Sequence, residues 1–342
     1  MTRFFTITTR GLEDVSAAEV AMLPQARVTA TAYRRVMAQC TGPLDPLLGL
    51  HTVDDVFLDE GTWLGLSVER TTLGAIRMLA ARLELYRAAG ICGTLRPVHD
   101  PPAFSVTANF VGARNYTTDE IKLACAAGIR ASHPGWAYAA DDREADLNVR
   151  LFIEHETAQV GIRLGAAPLQ NRPYKQHHVP GSLRPPVAAA IAWLAGSGQD
   201  HRVLDPCCGA GTLLIEAAYR GATALGGDSD EEALAAAQAN ATEAGAQVAF
   251  HRWDARALPI RSSSVDCVVT NPPWGRKVEI EADLAAFYAG LGAEIRRVLA
   301  PTGRAVVLTW APEWVKGWDL HWVQDREISL YGRRPTIITL AR

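Results

Sequence analysis

The chain has 342 residues, of which 48% are hydrophobic and 21% are charged. This balance is ordinary for a folded globular protein and excludes a disordered or fibrous chain. The net charge is −3, and both halves are close to neutral, which counts against a protein that holds nucleic acid by overall charge alone. The sequence contains no run of about 18 uncharged apolar residues, so we predict no membrane span. Glu13 and Asp14 interrupt any signal-type apolar stretch. We therefore expect a cytoplasmic protein, long enough for two domains.

Residues 1–60 predict a small ferredoxin-like α+β segment. It begins with a strand over Phe4–Ile7, followed by a helix that ends near Leu23. A strand over Arg34–Cys40, a helix over Pro43–Val53 and a strand over Val56–Asp59 complete it.

Residues 61–165 predict a second α+β domain. Apolar residues at helical spacing predict one helix over Thr72–Ala89, and strict alternation predicts a strand over Phe104–Phe110. A helix over Ile121–Ser132 has Thr118 as its predicted N-cap. The segments 146–154 and 158–162 predict a hairpin.

Residues 166–186 predict an extended linker or lid, because its prolines disfavour both helix and sheet. Within it, Arg172, Tyr174 and Lys175 form a cation–aromatic–cation strip that could meet the phosphate and base of a nucleotide. A helix over Ser182–Ala195 follows.

The last region, 187–342, is organised around one strand–turn–helix junction. A buried strand over Val203–Asp205 leads into a turn with Gly209 and Gly211, and then into a helix through Leu213. Such a turn brings bare backbone and helix N-terminal amides to a ligand. A dinucleotide site is disfavoured, because the position that should hold a small third residue is Leu214.

Three further strands each end on a polar residue. The strand over 222–227 ends on Asp228, the strand over 247–253 on Asp254, and the strand over 265–270 on Asn271. In an open parallel sheet, ligands bind outside the carboxyl ends of the strands. We therefore predict that these side chains converge on one crevice. Two final strands, 320–328 and 336–341, predict an antiparallel hairpin that closes the sheet.

The four strand ends, with Asn271-Pro272-Pro273-Trp274, resemble the class I S-adenosylmethionine-dependent methyltransferases that modify amino groups. The resemblance covers roughly residues 170–342 and implies a Rossmann-like α/β fold with a seven-stranded sheet. It implies that Asp205 holds the methionine ammonium, Asp228 the ribose diol and Asp254 the adenine amine. The positions matched to the cofactor site are Asp205, Cys207, Gly209, Gly211, Thr212, Asp228, Asp254, Ala255 and Asn271. No metal is implied, since the sulfonium already activates the methyl group.

The tetrapeptide at 271–274 suits a poorly nucleophilic amine. The side-chain oxygen of Asn271 and the carbonyl of Pro272 can accept its two N–H groups and turn the lone pair toward the methyl group. Pro273 stiffens the turn, and Trp274 can stack on the base, which is worth about 1–3 kcal/mol.

The first half resembles the THUMP-containing RNA modification enzymes, through Gly11-Leu12-Glu13 after the first strand and through the 146–162 hairpin. Together the two halves resemble the THUMP-domain tRNA guanine-N2 methyltransferases, which implies a tRNA substrate and, we expect, a monomer. Arg172, Tyr174, Lys175, Arg276, Lys277, Arg333 and Arg334 are the candidate RNA contacts. Departures from the family pattern at Gln170-Asn171, Pro173 and Lys175 leave substrate handling open.

Other functions remain open on the residues alone. The same chemistry could act on a DNA base or a protein glutamine amide, or the chain could be an RNA-binding protein with an inactive methyltransferase domain. The six cysteines, Cys40, Cys92, Cys125, Cys207, Cys208 and Cys267, contain no Cys-x-x-Cys pair, so neither zinc nor a disulfide framework is expected. We interpret them as buried thiols; a nucleophilic cysteine, as in carbon-5 pyrimidine methylation, is the alternative.

Overall fold

The structure is a computed structural model that describes residues 1–274 and 281–342. The chain divides into two compact units. The first consists of Met1–Ile7, Val20–Leu50 and Asp54–Leu169; the second consists of Thr8–Glu19, His51–Val53 and Gln170–Arg342.

Up to residue 169 the elements are β1 (Thr2–Ile7), α1 (Glu13–Ala21), β2 (Ala26–Ala32), β3 (Arg35–Cys40), β4 (Asp55–Leu64), α2 (Thr72–Ala80), α3 (Leu85–Gly93), β5 (Ala103–Phe110), α4 (Thr118–Ser132), β6 (Ala137–Tyr138), β7 (Leu147–Glu154) and β8 (Thr157–Arg163). Beyond it they are α5 (Pro185–Leu194), β9 (Arg202–Asp205), α6 (Thr212–Tyr219), β10 (Thr223–Asp228), α7 (Glu231–Glu243), β11 (Val248–Arg252), β12 (Val265–Thr270), α8 (Glu281–Val298), β13 (Leu299–Thr309), α9 (Pro312–Lys316), β14 (His321–Glu327) and β15 (Thr336–Ala341). Among the described residues, no helix has both the length and the apolar character needed to cross a bilayer.

The first unit is built on one eight-stranded mixed sheet in the order β2-β3-β1-β4-β8-β7-β5-β6. Alternate residues of β7 from Leu147 to Ile153 are buried, so one face of that strand points into the core. On the helical side, α4 approaches α2 closely at Gly128. A Cβ at that position would lie 2.2 Å from the carbonyl oxygen of Arg77, so only glycine permits the approach.

The predictions for this unit are confirmed in part. The hairpin is present as β7 and β8, which pair antiparallel. The single helix predicted over Thr72–Ala89 is wrong: α2 and α3 are separate, because Glu84 takes a non-helical backbone conformation. The N-cap of α4 is Thr117, not Thr118. Thr117 accepts from the amide of Glu120, whose carboxylate accepts from the amide of Thr117, which is a capping box.

Two further differences concern segment bounds. The helix predicted over Pro43–Val53 is only a short 3-10 turn at Asp45–Gly49. The predicted domain boundary at residue 60 falls within β4, and strands from both sides of it share the one sheet.

The second unit contains a seven-stranded sheet in the order β11-β10-β9-β12-β13-β15-β14. Strands β9 to β13 pair parallel, and β15 pairs antiparallel with both β13 and β14. The predicted α/β fold with a closing hairpin is therefore confirmed. Helices cover both faces: Val203 of β9 packs with α5 and α6, whereas its neighbour Leu204 packs with α8, since successive strand residues point to opposite faces.

Residues 8–19 belong to this second unit although the sequence predicts them in the N-terminal segment. Leu12 and Val15 are buried in the same cluster as α5 and α6. The amide of Ser329 donates to the carbonyl of Arg10 at 3.1 Å. The predicted linker also lies largely within this unit, from Gln170 to the start of α5 at Pro185.

Candidate active site

The turn between β9 and α6, residues 205–212, is called here the glycine turn. Gly209 and Gly211 have φ of +50° and +78°, a left-handed conformation that favours glycine. Asp205 is buried and accepts from the amide of Cys207 at 3.0 Å. Burial raises the pKa of Asp205 to about 7, so this carboxyl group is poised to respond to a cation.

The end of β10 meets the glycine turn, as predicted. One carboxylate oxygen of Asp228 accepts from the amide of Gly209 at 3.0 Å, and the other accepts from the amide of Asp230 at 3.1 Å. Asp230 is the N-cap of α7. Each oxygen of Asp228 keeps a further lone pair, so the side chain can still accept from a ligand.

A tryptophan that the sequence did not single out braces this junction. Trp253, which follows β11, is buried and donates its ring N–H to the carbonyl of Pro206 at 3.0 Å. A Cβ on Gly227 would lie 2.5 Å from the same ring. The ring therefore fits only because residue 227 is a glycine. In the sequence, the position of Trp253 directly before the strand-end Asp254 could have indicated that this aromatic residue lies near the site.

Asp254 differs from Asp228. Its carboxylate is 47% exposed and binds the guanidinium of Arg256 in its own turn, with the closest separation 2.7 Å. These hydrogen bonds lower the pKa of Asp254. Its neighbour Ala255 is buried. Asp254 thus lies at the expected strand end, but its carboxylate is already engaged by an arginine.

The Asn271–Trp274 motif follows β12 directly. The side-chain N–H of Asn271 donates to the carbonyl of Gly181 at 3.1 Å. The other end of its amide, Oδ1, is buried and has no hydrogen-bond partner among the described residues. Pro272 is buried, and the hydroxyl of the buried Tyr288 lies 3.3 Å from the carbonyl of Pro273.

Trp274 is half-buried against the cluster that contains α5 and α6. Its ring N–H is buried and unpartnered within the part of the chain that is described. The motif therefore presents an unpaired acceptor and an unpaired donor beside an aromatic surface. Arg276 and Lys277 lie outside the described residues.

Residues 172–182, called here the covering segment, run past the glycine turn. The ammonium of Lys175 donates to the side-chain oxygen of Thr212, the first residue of α6, and burial lowers the pKa of Lys175 to about 8. The side chain of Asn240 accepts from the amide of His177 at 3.0 Å and donates to its carbonyl at 2.9 Å. Asn240 also donates to Ala210 at 3.1 Å, which ties the segment to the turn.

Two members of the predicted cation–aromatic–cation strip at 172–175 are largely buried. Tyr174 is 2% exposed and donates its hydroxyl to Glu216 at 2.7 Å. The side chain of Arg172 is 11% exposed; it lies 3.5 Å from Glu216 and donates to the carbonyl of His51 at 2.9 Å. His51 also contacts Glu216, at 2.8 Å. In the sequence, Glu216 stands among apolar residues of α6, and this pattern could have indicated a buried polar cluster.

Of the remaining predicted contacts, Arg333 is half-buried, with its guanidinium 5.4 Å from the ring centre of Trp310. Trp310 follows β13 and is partly exposed. Cys207 and Cys208 are free thiols, and burial raises the pKa of both well above the ordinary value. The buried-thiol interpretation is consistent with this, because a nucleophile must be a thiolate.

This fold and strand-edge site define a class I methyltransferase domain. Residues 172–316 match the UPF0020 family, described as RMKL-like, methyltransferase domain.

Two curated relatives and one solved structure illustrate the similarity. The chain is 32% identical over 218 residues to the tRNA (guanine(6)-N2)-methyltransferase of Thermus thermophilus, covering 63% of this chain and 64% of the relative. It is 31% identical over 178 residues to the U6 snRNA (guanine-N(2))-methyltransferase THUMPD2 of Mus musculus, covering 51% of this chain and 32% of the relative. The chain thus spans less than two thirds of either relative. The crystal structure of TrmN from Thermus thermophilus superposes over 100% of both chains, with a TM-score of 0.80 and 28% identity.

Proposed function

We propose that this protein transfers a methyl group from S-adenosylmethionine to the exocyclic N2 amine of a guanosine in tRNA. The observation that carries the proposal is Asn271. At the carboxyl end of β12 it holds a buried side-chain oxygen with no partner among the described residues. An unpaired buried acceptor costs free energy, so its presence supports a ligand that donates an N–H group to it.

The residues present fit S-adenosylmethionine. Asp205 is buried and has a pKa of about 7, so its carboxyl group can become charged when a ligand ammonium lies beside it. Asp228 retains lone pairs that can accept from two ribose hydroxyls. Gly209 and Gly211, which have a left-handed backbone, carry no Cβ that would keep a ligand from the main chain at these two positions. When bound, the cofactor supplies a methyl group that its sulfonium has already activated.

The chain's own residues would then orient the amine. Asn271 Oδ1 and the carbonyl of Pro272 would accept its two hydrogens, which turns the lone pair away from them. Trp274 would stack on the base, a contact worth about 1–3 kcal/mol. The hydroxyl of Tyr288 steadies the turn by its contact with Pro273. A base in a duplex would first have to leave its stack.

The substrate assignment rests on the relatives. One is named for a guanine in tRNA and the other for a guanine in U6 snRNA, so guanine N2 in an RNA is what they share. The first unit, with its mixed sheet and its resemblance to THUMP-containing enzymes, would provide the RNA-binding surface. A cytoplasmic location and a monomeric state remain predictions.

The test is methyl transfer from labelled S-adenosylmethionine into total tRNA from a strain that lacks this protein, with nucleoside mass spectrometry of the product. We expect N2-methylguanosine with the wild type. Asn271→Ala should lower the rate on the order of 100-fold, since one misplaced group at the reacting centre has an effect of that size. If label enters a small nuclear or ribosomal RNA fraction but not tRNA, the substrate is that RNA and the tRNA assignment is wrong. No label in any RNA, with cofactor still bound, would contradict the RNA assignment.

A further inference from the structure

The turn Val179–Ser182 in the covering segment faces the catalytic asparagine. The amide of Ser182 donates to the carbonyl of Val179 at 3.0 Å, and the amide of Val179 donates to the hydroxyl oxygen of Ser182 at 3.0 Å. Between them Gly181 has a φ of +85°. This conformation directs the carbonyl of Gly181 toward Asn271, whose side-chain amide donates to it at 3.1 Å.

That single contact decides which end of the asparagine amide faces the site. A backbone carbonyl can only accept a hydrogen bond, so the atom beside Gly181 must be the NH₂ group of Asn271. The oxygen is then the end that is left buried and without a partner among residues 1–274 and 281–342. If the amide were rotated by 180°, two oxygens would face each other, and a donor would point at the substrate amine.

Tyr331 holds the same turn from the hairpin between β14 and β15. Its hydroxyl donates to the carbonyl of Ser182 at 3.2 Å, one residue from the carbonyl that contacts Asn271. The side chain of Val179 also lies beside the glycine turn, because a Cβ added to Gly209 would be 3.5 Å from it. The position of the Gly181 carbonyl is therefore fixed from two sides.

We propose that Gly181 and Tyr331 are positioning residues that orient the acceptor oxygen of Asn271 toward the substrate amine. The inference rests on the proposed function, since it assigns the two residues a role in the same transfer. Neither is expected to touch the substrate. Their effect should appear in kcat and in the state of the Asn271 amide, and not in cofactor affinity.

The decisive variant is Gly181→Ala, with Gly245→Ala as its matched control. Both glycines have positive φ, +85° and +61°, and a Cβ on either would meet nothing within 4 Å. Both variants therefore carry a similar backbone strain, but only Gly181 contacts Asn271. We expect Gly181→Ala to lower kcat on the order of 10- to 100-fold, whereas Gly245→Ala retains kcat. Tyr331→Phe removes one hydrogen bond and should lower kcat roughly 2- to 10-fold.

A second readout does not depend on turnover. In the ¹⁵N-labelled protein, the side-chain amide signal of Asn271 is assigned by its loss in Asn271→Asp. We expect this signal to move in Gly181→Ala and to stay in place in Gly245→Ala. In an Asn271→Ala background, Gly181→Ala should add no further loss of kcat, because the two changes act on one interaction.

Equal kcat in Gly181→Ala and Gly245→Ala, or an Asn271 signal that does not move, would overturn the inference. A wild type that methylates no RNA would overturn the proposed function instead, and the amide signal would then still decide whether Gly181 orients Asn271. A parallel loss of cofactor affinity and kcat in Gly181→Ala would assign the turn to cofactor binding and contradict the positioning role.

Discussion

The glycine turn and the covering segment border the same sheet edge but are held in different ways. The glycine turn has distant contacts from Asp228, Trp253 and Asn240. It is also closed by contacts within itself, because the Asp205 carboxylate accepts from the amide of Cys207 and the amide of Gly211 donates to the carbonyl of Cys208. The covering segment is fixed by side chains 42 to 90 residues away, those of Glu216, Asn240 and Asn271. A locally closed turn tolerates the loss of a distant contact, whereas the covering segment depends on a few long-range polar pairs.

The largest effect should come from removing the buried acid that holds the covering segment. Glu216→Ala takes away the acceptor of the Tyr174 hydroxyl and the carboxylate beside Arg172. Breaking a buried ion pair on one side lowers stability by about 3–5 kcal/mol, which urea unfolding would measure. Glu216→Gln, which keeps an acceptor, should lose less. Equal stability of Glu216→Ala and the wild type would mean that the segment is held by other contacts.

Asp205→Asn should separate stability from binding in the glycine turn. The pKa of Asp205 is raised from 3.8 to about 7 in the folded state. The free energy of unfolding of the wild type should therefore be highest below about pH 4 with respect to this group, and should fall as the pH rises toward 7. At pH 8 the variant, which has no proton to lose, should therefore be more stable than the wild type by up to about 4 kcal/mol. The difference should vanish near pH 4.

The same variant should bind S-adenosylmethionine about 10- to 100-fold more weakly, because a charged hydrogen-bond partner is lost. Thermal melting at pH 5 and pH 8 and calorimetry with the cofactor test both halves of the prediction. A variant that is less stable at pH 8, or that binds the cofactor unchanged, would contradict the assigned role of Asp205.

Asn240→Ala should have an intermediate effect. The substitution leaves the amide of His177 and the carbonyl of Ala210 without their partner, which costs about 1–3 kcal/mol. Hydrogen exchange should show faster exchange across the covering segment. Gln238→Ala, an exposed position on the same helix, is the matched control, and equal exchange rates in the two variants would show that Asn240 does not hold the segment.

The smallest effect should come from Arg256. Because its ion pair with Asp254 is about half exposed, Arg256→Ala should change stability by less than about 1 kcal/mol. It frees the carboxylate of Asp254, so cofactor affinity should not fall, whereas Asp254→Asn should lower it. Weaker cofactor binding in Arg256→Ala would mean that the arginine, and not the aspartate, meets the ligand.

The sheet of the second unit and the residues at its edge could be predicted because each depends on a short stretch of sequence. Strand, turn and helix lie next to each other around Gly211, and a parallel sheet brings Asp228 and Asn271 to the same side. The burial of Arg172 and Tyr174 was not predicted. It depends on Glu216, more than 40 residues later, and an acid in an apolar helix does not by itself show which residues pair with it. Spacing also could not show that Glu84 interrupts a helix, because the apolar pattern continues through it.

The position of residues 8–19 in the second unit affects how the protein folds during synthesis and which fragments of it can be expressed. They leave the ribosome early, yet their apolar side chains Leu12 and Val15 pack against helices that begin at residue 185 and beyond. At translation speeds of about 5–20 residues per second, these helices are synthesised roughly 10 to 40 seconds after residues 8–19. A fragment that begins at residue 170 would lack part of the core of the second unit, so we expect its expression to require residues 8–19, in the same chain or as a separate peptide.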